Sequence, residues 1–206
     1  PGVFDIPLDP ADPIQPFADP FDGPNLDDGW SLIDDTAEAQ IGFADGSYEM
    51  RDSTTSAGDV GIRRSVVGMG SFTADLMMTL DDFSGSNTDF KFRFFGGQFI
   101  EVVYNSFDDI RVFSGEKGEN VNLINGVGIT DGAPLHFRFI WNEGTGDATV
   151  GLAIGDDPMM EIAVAEGLQE FTPDTVDFVM FKFGDGNGMI PKLLLDNFEI
   201  REGVIP

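Results

Sequence analysis

Five basic side chains fall on strand-forming segments of a chain that carries few cations. Lys91 and Arg93 alternate with Phe90, Phe92 and Phe94, His136 and Arg138 alternate with Phe137 and Phe139, and Lys182 follows Phe178 and Met180. The chain has 11 Lys and Arg against 37 Asp and Glu, and His136 is its single histidine. If the five converge on one face, they form a positive strip in which arginine grips a uronate or sulfate group through paired hydrogen bonds. The plainer reading is that strand exteriors use Lys and Arg because Asp is a poor strand former, and that these bases pair with acids across the sheet. Asp196 is a second candidate. Alternation aligns it with Leu194 and Phe198 on an apolar face, where an isolated carboxylate is costly unless a cation or hydrogen-bond donors meet it. It could instead cap backbone N–H groups, or the strand could bend there at a bulge.

Other chemistries are excluded by residue type. There is no cysteine, which removes disulfides, thiol nucleophiles and Cys-ligated zinc. One histidine rules out His-rich metal sites and leaves a Ser-His-Asp triad without support. A net charge of −26 repels nucleic-acid phosphates and anionic lipid surfaces, while it suits calcium, which takes clustered oxygen ligands. Two further acidic loops, 81–89 and 185–188, lack the Glu that closes an EF-hand and read as turns. No apolar run reaches the ~20 residues of a spanning helix. The sequence opens at Pro1 and reads as a mature, secreted chain whose export signal has been removed.

The elements that must position these groups are strands. Phe72, Ala74, Leu76, Met78 and Leu80 share one face of a run, and Ile100, Val102 and Tyr104 share another; this period of two is that of a half-buried strand. Turn signals such as Asp131-Gly132 and Gly144-Thr145-Gly146 separate the runs. The pattern predicts ten to twelve strands in an all-β, two-sheet antiparallel sandwich, with one helical turn near 166–170. With 206 residues, 41% of them apolar, one domain over 17–206 accounts for the core. Residues 1–16 read as an extended Pro/Asp-rich arm: Pro7, Pro10, Pro13 and Pro16 recur every three residues, and Phe4, Ile6 and Leu8 offer one apolar face.

Two segments resemble the concanavalin A-like lectin/glucanase (laminin G-like) superfamily. Phe17-Ala18-Asp19-Pro20-Phe21-Asp22-Gly23, leading to Gly29-Trp30, is similar to its acidic opening, and Leu193-Leu194-Leu195-Asp196-Asn197-Phe198 to its last strand. The resemblance implies a jelly-roll sandwich of two curved sheets, glycan binding on the concave face or rim, and a structural Ca²⁺ where the first and last strands meet. Asp19, Asp22 and Asp196 would then be its ligands. The paired-carboxylate E-x-D-x-x-E segment of the superfamily's retaining glucanases is absent. Arg63-Arg64, His136 and Tyr104 supply the residue types of sandwich-fold alginate lyases without their motifs. With only two Trp and two Tyr, Phe95 and Phe99 beside Gly96-Gly97 are candidate aromatic substitutes for a sugar platform, and equally candidates for a protein-contact patch. These features predict a non-catalytic extracellular lectin-like module that binds polysaccharide, anionic by preference, with a structural calcium. The alternatives are a self-assembling subunit of a filament, matrix or surface layer that uses the arm for strand addition, and a polysaccharide-degrading enzyme.

Overall fold

The computed structural model describes residues 17–23, 26, 29–34, 39–44, 47–52, 58–66, 70–183 and 189–204. The arm predicted over 1–16 and the 185–188 loop lie outside them.

The described residues form fifteen strands. They are β1 (Phe17–Asp19), β2 (Trp30–Asp34), β3 (Ala39–Ala44), β4 (Ser47–Asp52), β5 (Gly58–Ser65), β6 (Phe72–Asp81), β7 (Thr88–Gly96), β8 (Gln98–Tyr104), β9 (Ile110–Ser114), β10 (Glu119–Ile124), β11 (Pro134–Asn142), β12 (Asp147–Ile154), β13 (Met160–Ala165), β14 (Thr175–Lys182) and β15 (Lys192–Glu202). All pairings are antiparallel. An eight-stranded sheet runs β13-β12-β11-β6-β15-β4-β3, with β1 also on β15, and a seven-stranded sheet runs β10-β9-β8-β7-β14-β5-β2. The strand count exceeds the predicted range because short edge strands such as β1 and β10 carry little alternation of their own. The helical turn expected at 166–170 is not formed. That segment is a loop whose Gln169, Glu170 and Phe171 N–H groups donate to the Glu116 carboxylate at 2.7, 2.9 and 3.2 Å.

The inward face of each strand is the one its alternation marks. Phe72, Ala74, Leu76, Met78 and Leu80 are buried, as are Phe90, Phe92, Phe94, Phe137, Phe139 and Trp141. Rings from the two sheets interlock: Phe94 of β7 stacks on Phe139 of β11 with centroids 4.1 Å apart, and Phe178 of β14 meets Phe198 of β15 edge-on at 5.1 Å. Each buried Phe contributes about 2–3 kcal/mol by removal from water, so phenylalanine carries much of the sandwich's stability.

The last strand departs from simple alternation. β15 pairs with β4 through Lys192–Leu195 and with β1 through Phe198–Ile200. Between those two stretches its register against β6 shifts, from Leu195↔Met78 to Asn197↔Met77. The extra residue is Asp196, which is exposed. The inward set is therefore Leu193, Leu195, Phe198 and Ile200, and the apolar-face placement expected of Asp196 is replaced by a bulge where β15 exchanges partners.

Candidate functional site

The pairing registers order the outer face of the seven-stranded sheet into cross-strand rows. One row runs Phe113, Glu101, Arg93, Asp177, Arg63 and Ser31 across β9, β8, β7, β14, β5 and β2. Its charges alternate and lock together. Arg63 donates through Nε and Nη2 to the two carboxylate oxygens of Asp177, both at 2.7 Å. Arg93 Nη2 donates to Asp177 at 3.1 Å, and Arg93 Nη1 lies 3.7 Å from Glu101. Asp177 is fully buried beneath its two arginines, a geometry in which charge-assisted, bidentate bonds offset desolvation.

The next row runs Arg111, Val103, Lys91, Val179, Gly61 and Ile33. Val103 and Val179 are buried yet belong to no part of the interior core cluster; they form a floor on the outer face beneath longer side chains. Lys91 Nζ stands 4.6 Å from the centre of the Phe181 ring, within cation–π range. Beyond Lys91 on β7 is Asp89, only 6% exposed. Burial pushes its carboxyl up to about 6, with Glu101 adding to the rise and Lys91 and Arg111 opposing it.

At one end of the face three half-buried phenylalanines adjoin. Phe95 and Phe99 have ring centres 5.8 Å apart, and Phe99 and Phe113 stack at 5.7 Å. Gly115 makes room for this shelf, since a Cβ there would come within 2.6 Å of the Phe99 ring. Arg93 lies over Phe95 at 4.9 Å, so shelf and charge row are continuous.

His136 and Arg138 are elsewhere. They project from β11 on the outer face of the eight-stranded sheet, where both donate to Asp75 of β6 at 2.8 Å, His136 through its Nε2–H. Arg201 of β15 pairs with the other Asp75 oxygen. Burial pushes the Asp75 carboxyl upward, but the bonds and charges of His136 and Arg138 outweigh it and hold the group at about 2. A shallow groove of about 290 Å³ runs beside this cluster, lined by Met77, Pro134, His136, Arg138, Asp156 and Asp157. Lys182 is on neither outer face: it shares the inward side of β14 with Phe178 and Met180 and is 3% exposed. The single basic strip expected from Lys91, Arg93, His136, Arg138 and Lys182 is thus divided. Lys91 and Arg93 remain together, because β7 and β11 enter different sheets.

The carboxylates proposed for calcium are also separated in role. β1 and β15 do pair, as the resemblance implies, with Asp19 opposite Phe198. Both Asp19 oxygens are engaged, however: one accepts from the Phe21 N–H and the other from the Trp30 indole, each at 2.8 Å. Asp22 and Asp196 are exposed. A different trio converges. Asp81 ends β6 and Asp82 follows it, the Asp131-Gly132 turn folds back so that Gly132 N–H donates to Leu80, and carboxylate oxygens of Asp81, Asp82 and Asp131 lie within 4.8 Å of one another. Hard oxygens at that spacing suit a divalent cation.

No protein-family model and no curated protein sequence matches the chain. Solved structures do. The Lotus tetragonolobus seed lectin superposes with a TM-score of 0.66 at 13% identity, covering 93% of this chain and 99% of the lectin. Lectin II from Ulex europaeus gives 0.64 at 12% identity, covering 90% and 97%. The chain has the concanavalin A-like jelly-roll fold. The same sandwich also occurs inside a larger protein: the GH43 protein BlXynB from Bacillus licheniformis gives 0.65 at 12% identity, covering 90% of this chain but 39% of that one. At these identities the likeness concerns architecture, and function has to be argued from the faces of this chain. Arg111 and Phe113 had escaped the sequence reading. Their one visible signal was the alternation of Arg111 and Phe113 with Ile110 and Val112, which marks a strand face without saying which residues it joins.

Proposed function

We propose that the chain is a non-catalytic carbohydrate-binding module, acting outside the cell, that holds a polysaccharide along the outer face of its seven-stranded sheet. The observation that carries this reading is the union of the Phe95–Phe99–Phe113 shelf with the Glu101–Arg93–Asp177–Arg63 row. Aromatic faces take the C–H side of a sugar ring and fixed polar groups orient its hydroxyls. Here the polar groups are held in place before any ligand arrives, which lowers the ordering cost of binding. The same architecture in plant lectins agrees with this reading. Affinity measurements on a panel of neutral and acidic polysaccharides test it. Binding to at least one polymer, weakened about tenfold or more by Phe99→Ala and Phe113→Ala, is expected. No binding anywhere in the panel sinks the reading, and release of new reducing ends would replace it with an enzymatic one.

A structural Ca²⁺ belongs to the same proposal, now at Asp81, Asp82 and Asp131. Added calcium should raise Tm, a chelator should reverse the gain, and Asp131→Asn should abolish both responses. Identical melting with and without calcium removes the ion from the proposal.

A further inference from the structure

We infer that Lys91 and Arg111, standing on either side of β8 on the outer face of the seven-stranded sheet, form a subsite for the carboxylate or sulfate group of an acidic polysaccharide. This rests on the carbohydrate-binding reading above and specifies which sugars it favours.

Cations in this protein are scarce, and most are occupied. Of 11 Lys and Arg in a chain of net charge −26, Arg51, Arg63, Arg93, Arg138, Lys192 and Arg201 form ion pairs with carboxylates. Among the described residues, Lys91, Arg111 and the exposed Lys117 form none. Arg111 is the sharper case. Its Nε is buried without a hydrogen-bond partner, which leaves a charged group's desolvation uncompensated. The Nε atoms of Arg93 and Arg201 share it, but those guanidiniums spend their remaining N–H groups on Asp177, Asp75 and Glu101.

Lys91 and Arg111 are neighbours. Lys91 is register partner to Val103, and Val103 to Arg111. Two inter-strand spacings separate their backbones, about 10 Å, and the 1%-exposed Val103 forms the floor between them. An anion over Val103 would meet the planar fork of Arg111, and Lys91, whose Nζ rests 4.6 Å from the Phe181 ring on β14, would swing across to it as a mobile point charge. The Phe113 ring, two residues along β9, continues the site onto the aromatic shelf.

Asp89 is the nearby acid that could have neutralised both cations. It has no hydrogen bond or ion pair among the described residues. The charged groups around it are Lys91 on its own strand, Glu101 on β8 and Arg111 on β9, with Asp177 on β14 and Asp59 on β5 of the same face. Its carboxyl titrates at about 6. Protonation leaves the subsite more positive, while a uronate, which ionises near pH 3.5 like other carboxyls beside an electron-withdrawing group, stays charged. Anion binding should therefore strengthen as pH falls from 7 to 5.

Matched probes that differ only in charge test the inference: polygalacturonate against its methyl ester, and dextran sulfate against dextran. The expected result is preference for the charged member of at least one pair, identifying carboxylate or sulfate as the natural group. Lys91→Gln/Arg111→Gln should reduce that preference about tenfold or more, with no loss of binding to the uncharged polymer. Arg111→Lys should retain part of it, and Asp89→Asn should remove its dependence on pH. Equal binding of charged and uncharged members overturns the subsite and leaves carbohydrate binding standing, as does a preference that survives the double substitution. Failure of all four polymers, together with the wider panel, overturns both.

Discussion

Asp89 and Asp177 are two acids on one face with opposite fates. Asp177 is buried under two arginines, whereas Asp89 has no hydrogen bond or ion pair among the described residues and burial pushes its carboxyl up to about 6. Because its folded pKa lies above its usual value, protonation favours the folded state. Its stabilising contribution is complete below about pH 4 and is lost as pH rises through about 6. The displacement corresponds to about 3 kcal/mol. Asp89→Asn should therefore leave stability unchanged at pH 4 and raise it at pH 8 by up to that amount. Denaturant titrations of both proteins at the two pH values check this, and a pH-independent difference would contradict the burial argument. Asp75 behaves in the opposite sense: held at about 2 by His136 and Arg138, it contributes stability above about pH 4 that is lost as pH falls through 2. The strand-face placement of Lys91, Arg93, His136 and Arg138 was legible in the sequence, since period-two alternation is local. Their division between two faces was not, because which sheet a strand joins depends on partners far along the chain, such as β14 for β7 and β6 for β11.

At the scale of elements, the turn between β7 and β8 is the tightest joint of the candidate site. Gly96 accepts a 2.9 Å bond from Thr172 N–H, and Phe95 one of 2.7 Å from Asp174 N–H. A Cβ on Gly96 would stand 1.6 Å from the Thr172 carbonyl oxygen, so loop and turn cannot both keep their places. Gly96→Ala should cost at least about 3 kcal/mol, as overpacking against rigid backbone does. It should also weaken polysaccharide binding by moving Phe95 and Phe99. Tm and affinity measured on the same variant check both parts, and a fold that melts unchanged would contradict the close approach. Gly96-Gly97 announced a turn in the sequence, but nothing there pointed to the 172–174 loop as its clamp. The bulge at Asp196 was hidden for a similar reason. It arises where β15 leaves β4 for β1, and those strands are separated from it by more than a hundred residues.

For the whole molecule, two electrostatic effects compete. A net charge of −26 repels itself, while the ladders around Asp177 and Asp75 hold strands together through partly buried pairs that salt screens less. Added salt should relieve the repulsion more than it loosens the ladders. Raising NaCl from low to physiological concentration and beyond should lift Tm, by about 3 °C for each kcal/mol of repulsion removed in a domain of this size. A falling Tm would mean that exposed attractive pairs outweigh the global charge.

The pairing of β1 with β15 places Phe17 opposite Ile200, so the first and last of the described strands lie side by side in one sheet. A short linker could therefore join residue 204 to residue 17, with the chain reopened at the exposed Gly144-Thr145 turn between β11 and β12. Such a circular permutant keeps every pairing described above except the connectivity of one hairpin and should fold to the same sandwich. By the same geometry the unit can be spliced into a surface loop of another protein, entering and leaving through a single narrow gap, with the outer face of the seven-stranded sheet still turned to solvent.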